Sequence, residues 1–187
     1  MSYLTLNQVR GEARFTDAQA TNLSRKSLSG RTTVFLSHSH QDADLILPAM
    51  NMLLSMGLEV YVDWLDPAMP STTSAATAAK LKEKIVECQR FVVLLSENSV
   101  NSKWVPWELG YADGKKPIKD IGIFPIKRNS FTLDSLFDGL EYMELYPVIK
   151  EGVKGTYTSP AIFPPDRVGG NGKWLAEGWL KSGTFSF

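Results

Sequence analysis

Trp104 and Glu108 stand four residues apart in SKWVPWELGYADG (102–114), so on a helix they lie one above the other, with Tyr111 continuing the face at i+7. Trp104 offers a flat apolar surface that can hold a ring, and Glu108 a carboxylate beside it. A second set of polar groups runs Ser37-His38-Ser39-His40-Gln41-Asp42, and a third Asp63-Trp64-Leu65-Asp66. Taken alone, Glu108 reads as a solvated helix carboxylate. Trp104 and Trp107 point to different faces, and Trp107 is the one expected in the core. His38 and His40 are expected to point oppositely. One shared metal site needs converging side chains, so no metal is expected. Asp42 and Asp44 read as helix caps.

Whole-chain properties narrow the chemistry. The chain of 187 residues carries 20 Lys+Arg against 20 Asp+Glu, and this neutral balance gives no electrostatic footprint for nucleic acid or anionic lipid. Its longest apolar runs resemble FVVLL at 91–95, far short of the roughly 20 residues of a membrane helix. The first residues, MSYLTLNQVRGEARF, do not read as a secretory signal. Cys88 is the one cysteine, which excludes an intrachain disulfide and a multi-cysteine zinc site and reads as a buried inert thiol. A cytoplasmic setting is the simplest expectation. The absence of G-x-G-x-x-G argues against a dehydrogenase using NAD as a redox cofactor.

The elements that must position these groups alternate in period. TTVFLS (32–37), LEVYV (58–62), RFVVLLS (90–96) and IGIFPIK (121–127) read as strands buried on both faces, and EYMELY (141–146) as a fifth. Leu45, Ala49, Leu53 and Met56 repeat at helical spacing up to a stop at Gly57, with Pro48 acceptable only in a first turn. Helices follow at 76–88 and from about Ser102 to Gly114, with Pro106 in a first turn. The expected fold is α/β: an open, doubly wound parallel sheet of about five strands with helices on both faces. Ligands bind beyond the carboxyl ends of such strands. This topology alone brings 37–42, 63–66 and Trp104–Glu108 toward one cleft. A receiver-type phosphoacceptor site fails on placement, because the strands end in Ser-His and Ser96-Glu97 rather than in paired carboxylates.

Two flanks differ from this central region of 32–150. Residues 1–31 read as an N-terminal arm, helical near 4–14 or loosely held. Residues 151–187 hold seven of the 14 glycines together with Trp174, Trp179, Phe185 and Phe187, so this extension is expected to pack on the domain or on a neighbour.

VFLSHSHQD, then EVYVD, then SKWVPWELGYA resemble, in this order and spacing, a TIR (Toll/interleukin-1 receptor) domain, especially the bacterial TIR proteins of antiphage defence. The resemblance implies the flavodoxin-like TIR fold and cleavage of NAD+ at the nicotinamide–ribose bond, giving ADP-ribose or a cyclic ADP-ribose signalling nucleotide. NAD+ is then substrate, and no cofactor is implied. Glu108 would be the catalytic carboxylate, stabilising positive charge on the ribose, with its place early in a helix favouring the ionised form. Trp104 or Trp64 would stack on a ring. Ser39, His40, His38 and Asp63 would contact ribose or diphosphate, Lys103 would be the nearest cation, and Tyr111 would extend the face. Implied partners are other copies through TIR–TIR contacts and a separate effector that senses the product. The alternative is a non-catalytic scaffold acting through the loop at 63–75, where Pro67 and Pro70 replace the glycine frequent in the family.

Overall fold

A computed structural model describes residues 2–25, 30–70, 72, 74–141, 145–154, 157–163, 174–175, 178 and 180–181. The apolar runs form parallel strands β2 (Thr33–Ser37), β3 (Glu59–Tyr61), β4 (Arg90–Leu95), β5 (Ile121–Lys127) and β6 (Val148–Lys154), after a short β1 (Leu4–Thr5). Their order across the sheet is β3-β2-β4-β5-β6, the 2-1-3-4-5 arrangement of doubly wound folds. Every residue of β4 and β5 is buried, so neither strand shows polar alternation.

Successive side chains still separate into two layers. Val34, Leu36, Val92, Leu94, Phe124 and Ile126 pack with Leu45, Ala49, Met52 and Leu53 of α3 (Ala43–Ser55). Phe35, Phe91, Val93, Leu95, Ile121 and Ile123 pack with Leu81 and Ile85 of α4 (Ala75–Glu87) and with Val105, Leu109 and Ala112 of a helix spanning Trp104–Asp113. The chain passes to α3 on one face and then to α4 on the other, which opens the strand ends between β2 and its neighbours.

Pro48 departs from the first-turn expectation. It is the sixth residue of α3, and it is buried. An interior proline costs about 3 kcal/mol, and the apolar face that α3 packs into the sheet outweighs that cost. At the helix end, Gly57 has φ +84°, its N–H donates to Leu54 O at 2.9 Å, and the Leu58 N–H donates to Leu53 O at 3.4 Å. This double bond pattern needs a left-handed residue. Gly57→Ala is therefore expected to cost about 1–2 kcal/mol, read as a lowered urea midpoint with unchanged slope.

Both flanks join the fold. β1 pairs in parallel with the end of β5, Leu4 opposite Ile126. α1 (Leu6–Gly11) and α2 (Asp17–Ser24) each begin with a capping box, Thr5 with Gln8 and Thr16 with Gln19. Leu4, Leu6, Val9 and Ala20 are buried in the α3 layer, so residues 2–25 are not a loose arm. Of the strand expected at 141–146, residues 142–144 lie outside the described residues; Glu141, Leu145 and Tyr146 are not in a strand, and after Pro147 the last parallel strand, β6, starts at Val148. β6 turns back antiparallel into β7 (Tyr157–Phe163), which pairs with β8 (Trp174–Leu175). Leu180 is fully buried in the α3 layer, and the Thr32 hydroxyl donates to Lys181 O at 3.1 Å. The Trp174 side chain and Trp179, Phe185 and Phe187 lie outside the described residues. Among the described residues, no helix is long and apolar enough to cross a membrane.

Candidate active site

The carboxyl ends of β2 and β3 face the first turns of α4 and of α6 (Trp104–Asp113) across a cleft of about 450 Å³, counting its open mouth. Ser37, His38 and His40 come from the end of β2, Asp63 from the turn after β3, Thr77 and Leu81 from α4, and Ser102, Trp104 and Glu108 from α6 and its approach. α5 (Glu97–Val100) links β4 to that approach.

Glu108 belongs to the buried face of α6, with Val105, Leu109 and Ala112, and is 5% exposed. The Ser37 hydroxyl donates to Glu108 Oε2 at 2.5 Å. Burial pushes the Glu108 carboxyl up to about 8; the Ser37 hydrogen bond opposes this, the Asp63 charge adds to it, and His40 opposes it. The expectation that its helix position favours the ionised form is thereby corrected. Glu108 is the fifth residue of α6, where the helix-end field has faded, and desolvation dominates.

The histidines converge, contrary to expectation. Residues two apart on an extended segment share a side. The chain stays extended through Ser39, at φ −85° and ψ 135°, before a tight 3-10 turn at His40–Asp42. His38 Nε2 lies 3.3 Å from Asp63 Oδ1, and His40 Nε2 lies 3.3 Å from Asp63 Oδ2. His38 Nδ1 is 2.9 Å from Leu36 O, and the Trp64 N–H donates to Asp63 Oδ1 at 2.9 Å. Burial holds His38 below its ordinary pKa, whereas the hydrogen bond to Asp63 holds His40 above it. Burial works to raise Asp63, but the His40 hydrogen bond and the charges of both imidazoles outweigh it and hold Asp63 low.

Other candidates fall elsewhere. Trp107, expected in the core, is 36% exposed, and Trp104 is the tryptophan packed against the α4–α6 layer. The buried positions of α6 are Val105, Glu108, Leu109 and Ala112, which turns Trp107 outward and leaves Tyr111 half-buried at the edge of the layer. Those two stack at 6.2 Å with Lys82 Nζ over both rings, so Tyr111 does not line the cleft. Trp64 is 45% exposed in the turn after β3 and Lys103 is exposed ahead of α6; neither lines the cleft. Ser39 is buried, and its hydroxyl accepts the Gln41 N–H at 3.4 Å, capping the turn instead of meeting a ligand. Sequence reasoning brought Ser37 to the cleft without giving it a role, and missed Thr77 and Ser102. Ser102 Oγ accepts the N–H groups of Trp104 and Val105 at 3.2 and 3.4 Å, the capping role a serine just before a helix predicts. Asp42 does not cap α3 with its side chain. It is fully buried and accepts hydrogen bonds from the Ser96 hydroxyl, from Asn98 Nδ2 at 2.7 Å and from Arg128 Nη2 at 3.3 Å. Cys88 is buried, which pushes its thiol up to about 12, as an inert thiol requires.

Comparison with known proteins adds an independent line. Residues 34–152 match the family model described as TIR domain. Over 121 residues the chain is 40% identical to ThsB' of Bacillus cereus (strain MSX-D12), named for 3' cyclic ADP-D-ribose synthesis; the match covers 64% of this chain and 61% of that protein. Over 82 residues it is 30% identical to TIR2 of Cytobacillus dafuensis, named for cyclic ADP-D-ribose synthesis, covering 42% of this chain and 22% of that protein. The chain thus spans less than two thirds of the length of each of these curated relatives.

Proposed function

The chain belongs to the TIR domain family, and from that footing we propose that it cleaves the nicotinamide–ribose bond of NAD+ and closes the ADP-ribose into a cyclic nucleotide. The observation that carries the reading is Glu108, buried, held by the Ser37 hydroxyl and facing the cleft beside Trp104. The names of both relatives favour the cyclic product over simple hydrolysis.

The chemistry asks for one well-placed carboxylate. When the bond from ribose C1' to the pyridinium nitrogen breaks, its electron pair stays on nitrogen and nicotinamide leaves neutral. Positive charge then builds on the ribose, and ionised Glu108 in the buried wall of the cleft stabilises it. A hydroxyl of the same nucleotide attacks C1' and gives up its proton to Glu108. A carboxyl tuned to about 8 suits that base role near neutrality. Trp104 supplies the flat wall for the nicotinamide ring. His40, exposed at the mouth and held by Asp63, is the donor toward ribose or diphosphate, while His38 lies buried beside Asp63.

The described lining of the cleft contains neither Lys nor Arg. The diphosphate charge therefore favours a second copy contributing through TIR–TIR contacts. We place the activity in the cytoplasm, in bacterial antiphage immunity, with a separate effector sensing the product; relatives named for a cyclic nucleotide of this kind support a signalling role.

Incubation of purified chain with NAD+, followed by chromatography and mass spectrometry, is expected to show nicotinamide and a cyclic ADP-ribose released in equal amounts. NAD+ left intact at high protein concentration would leave only the scaffold reading. Because the active form is the carboxylate, the initial rate should rise about tenfold per pH unit below about 8 and level off above it. A flat profile from pH 6 to 9 would remove Glu108 from the proton inventory.

A further inference from the structure

We infer that His38, His40 and Asp63 form a binding site for one divalent transition-metal ion of the zinc class. One atom from each residue lies within 4.8 Å of the others. Bonds of about 2.0–2.1 Å at tetrahedral angles put neighbouring ligand atoms roughly 3.3–3.4 Å apart. Each imidazole Nε2 stands 3.3 Å from one Asp63 oxygen, His38 from Oδ1 and His40 from Oδ2, so an ion held by all three draws the exposed His40 ring inward toward His38.

The second observation is an unsatisfied buried group. His38 is 8% exposed, and its Nε2 makes no hydrogen bond, although Asp63 Oδ1 is close by. Its Nδ1 faces Leu36 O at 2.9 Å, and a carbonyl there can only accept. The Nδ1 atom therefore carries a proton, and in the neutral ring Nε2 presents a lone pair toward a carboxylate. Two acceptors facing each other call for a cation between them. A ring whose far nitrogen donates to a backbone carbonyl is also how proteins orient ligating histidines. The Trp64 N–H steadies Asp63 Oδ1 in the same manner.

Two imidazole nitrogens and one carboxylate oxygen suit Zn2+, Co2+ or Ni2+ better than Mg2+ or Ca2+, which prefer all-oxygen surroundings. His40 is exposed and the cleft is open above it, so the remaining coordination position faces the mouth. The chain contains two histidines and one cysteine, so any site built on imidazole must be this one. The inference stands whether or not the chain acts on NAD+.

The test uses the full chain without a polyhistidine tag. Calorimetric titration with Zn2+ should saturate at one ion per chain, and Co2+ should give the visible absorption of a tetrahedral site. Loss of one ligand should weaken Zn2+ binding at least about 100-fold. His40→Ala is the decisive variant, because the His40 side chain is 70% exposed and its removal spares the core. Asp63→Ala should act likewise, with circular dichroism confirming the fold of both. Mg2+ should give no saturable heat. Absence of saturable Zn2+ binding would overturn the site, as would Zn2+ bound equally well by parent and His40→Ala.

Discussion

Glu108→Gln should abolish NAD+ cleavage to within about one part in 10³ while leaving the fold intact, measured as nicotinamide release alongside a denaturation curve. The amide keeps the size of the side chain and can still accept from Ser37, so the loss isolates the negative charge. Stability should move with pH in a direction fixed by burial. The folded carboxyl sits near 8 against an ordinary value of 4.5, so between those values the native chain holds a proton that the unfolded chain releases. The stabilising contribution is complete below about 4.5 and is lost as pH rises through about 8. Glu108→Gln should lack that decline, and should therefore outlast the parent at pH 9 relative to pH 5. Undiminished cleavage in the variant would remove the carboxylate from the chemistry.

Asp42→Ala should cost about 3–5 kcal/mol, the range for stripping one partner from a buried charged network. Asp42 joins the ends of three parallel strands: it follows β2, and its donors follow β4 (Ser96, Asn98) and β5 (Arg128). Removing the carboxylate leaves the buried Ser96 hydroxyl without its acceptor, while Asn98 keeps Gln41 O and Arg128 keeps Asp44, and it loosens the strand ends that set the distance from Ser37 to Glu108. Asp42→Asn keeps an oxygen for Asn98 and should cost less. A urea titration of the two variants checks the order; equal midpoints for Asp42→Ala and the parent would show that the network contributes nothing.

The first four parallel strands were readable because fully buried parallel strands advertise themselves as unbroken apolar runs, and the facing segments at 37–42, 63–66 and 104–108 followed from topology. The site was readable in outline for the same reason: Glu108, Trp104, His38, His40 and Asp63 do meet. What escaped was set by local backbone detail. Ser39 and Ser37 are both serines at the end of one strand, and only the start of the 3-10 turn after Ser39 decides which faces Glu108. Thr77 reaches the cleft because α4 begins at Ala75, in a stretch where hydroxyl residues offer several possible caps. Trp107 turned outward, against expectation, because the buried face of α6 includes a carboxylate, and hydrophobic periodicity cannot anticipate a buried acid. The capping boxes at Thr5–Gln8 and Thr16–Gln19 were legible as T-x-x-Q, and they would have turned a loose arm into two short helices. The last parallel strand was set too early because EYMELY alternates plausibly, whereas the pairing that exists is Ile123 with Val148.

The sheet's α3 side also bears on where this molecule can be cut. Leu4, Leu6, Val9, Ala20, Ile162 and Leu180 all lie outside the matched span of 34–152, yet they complete the same apolar layer as Val34, Leu36 and Phe124. Trimming an expression fragment to the family boundaries would strip that layer bare on one side and invite precipitation. The evolutionary unit and the autonomous folding unit are therefore of different extent here, the second being the larger.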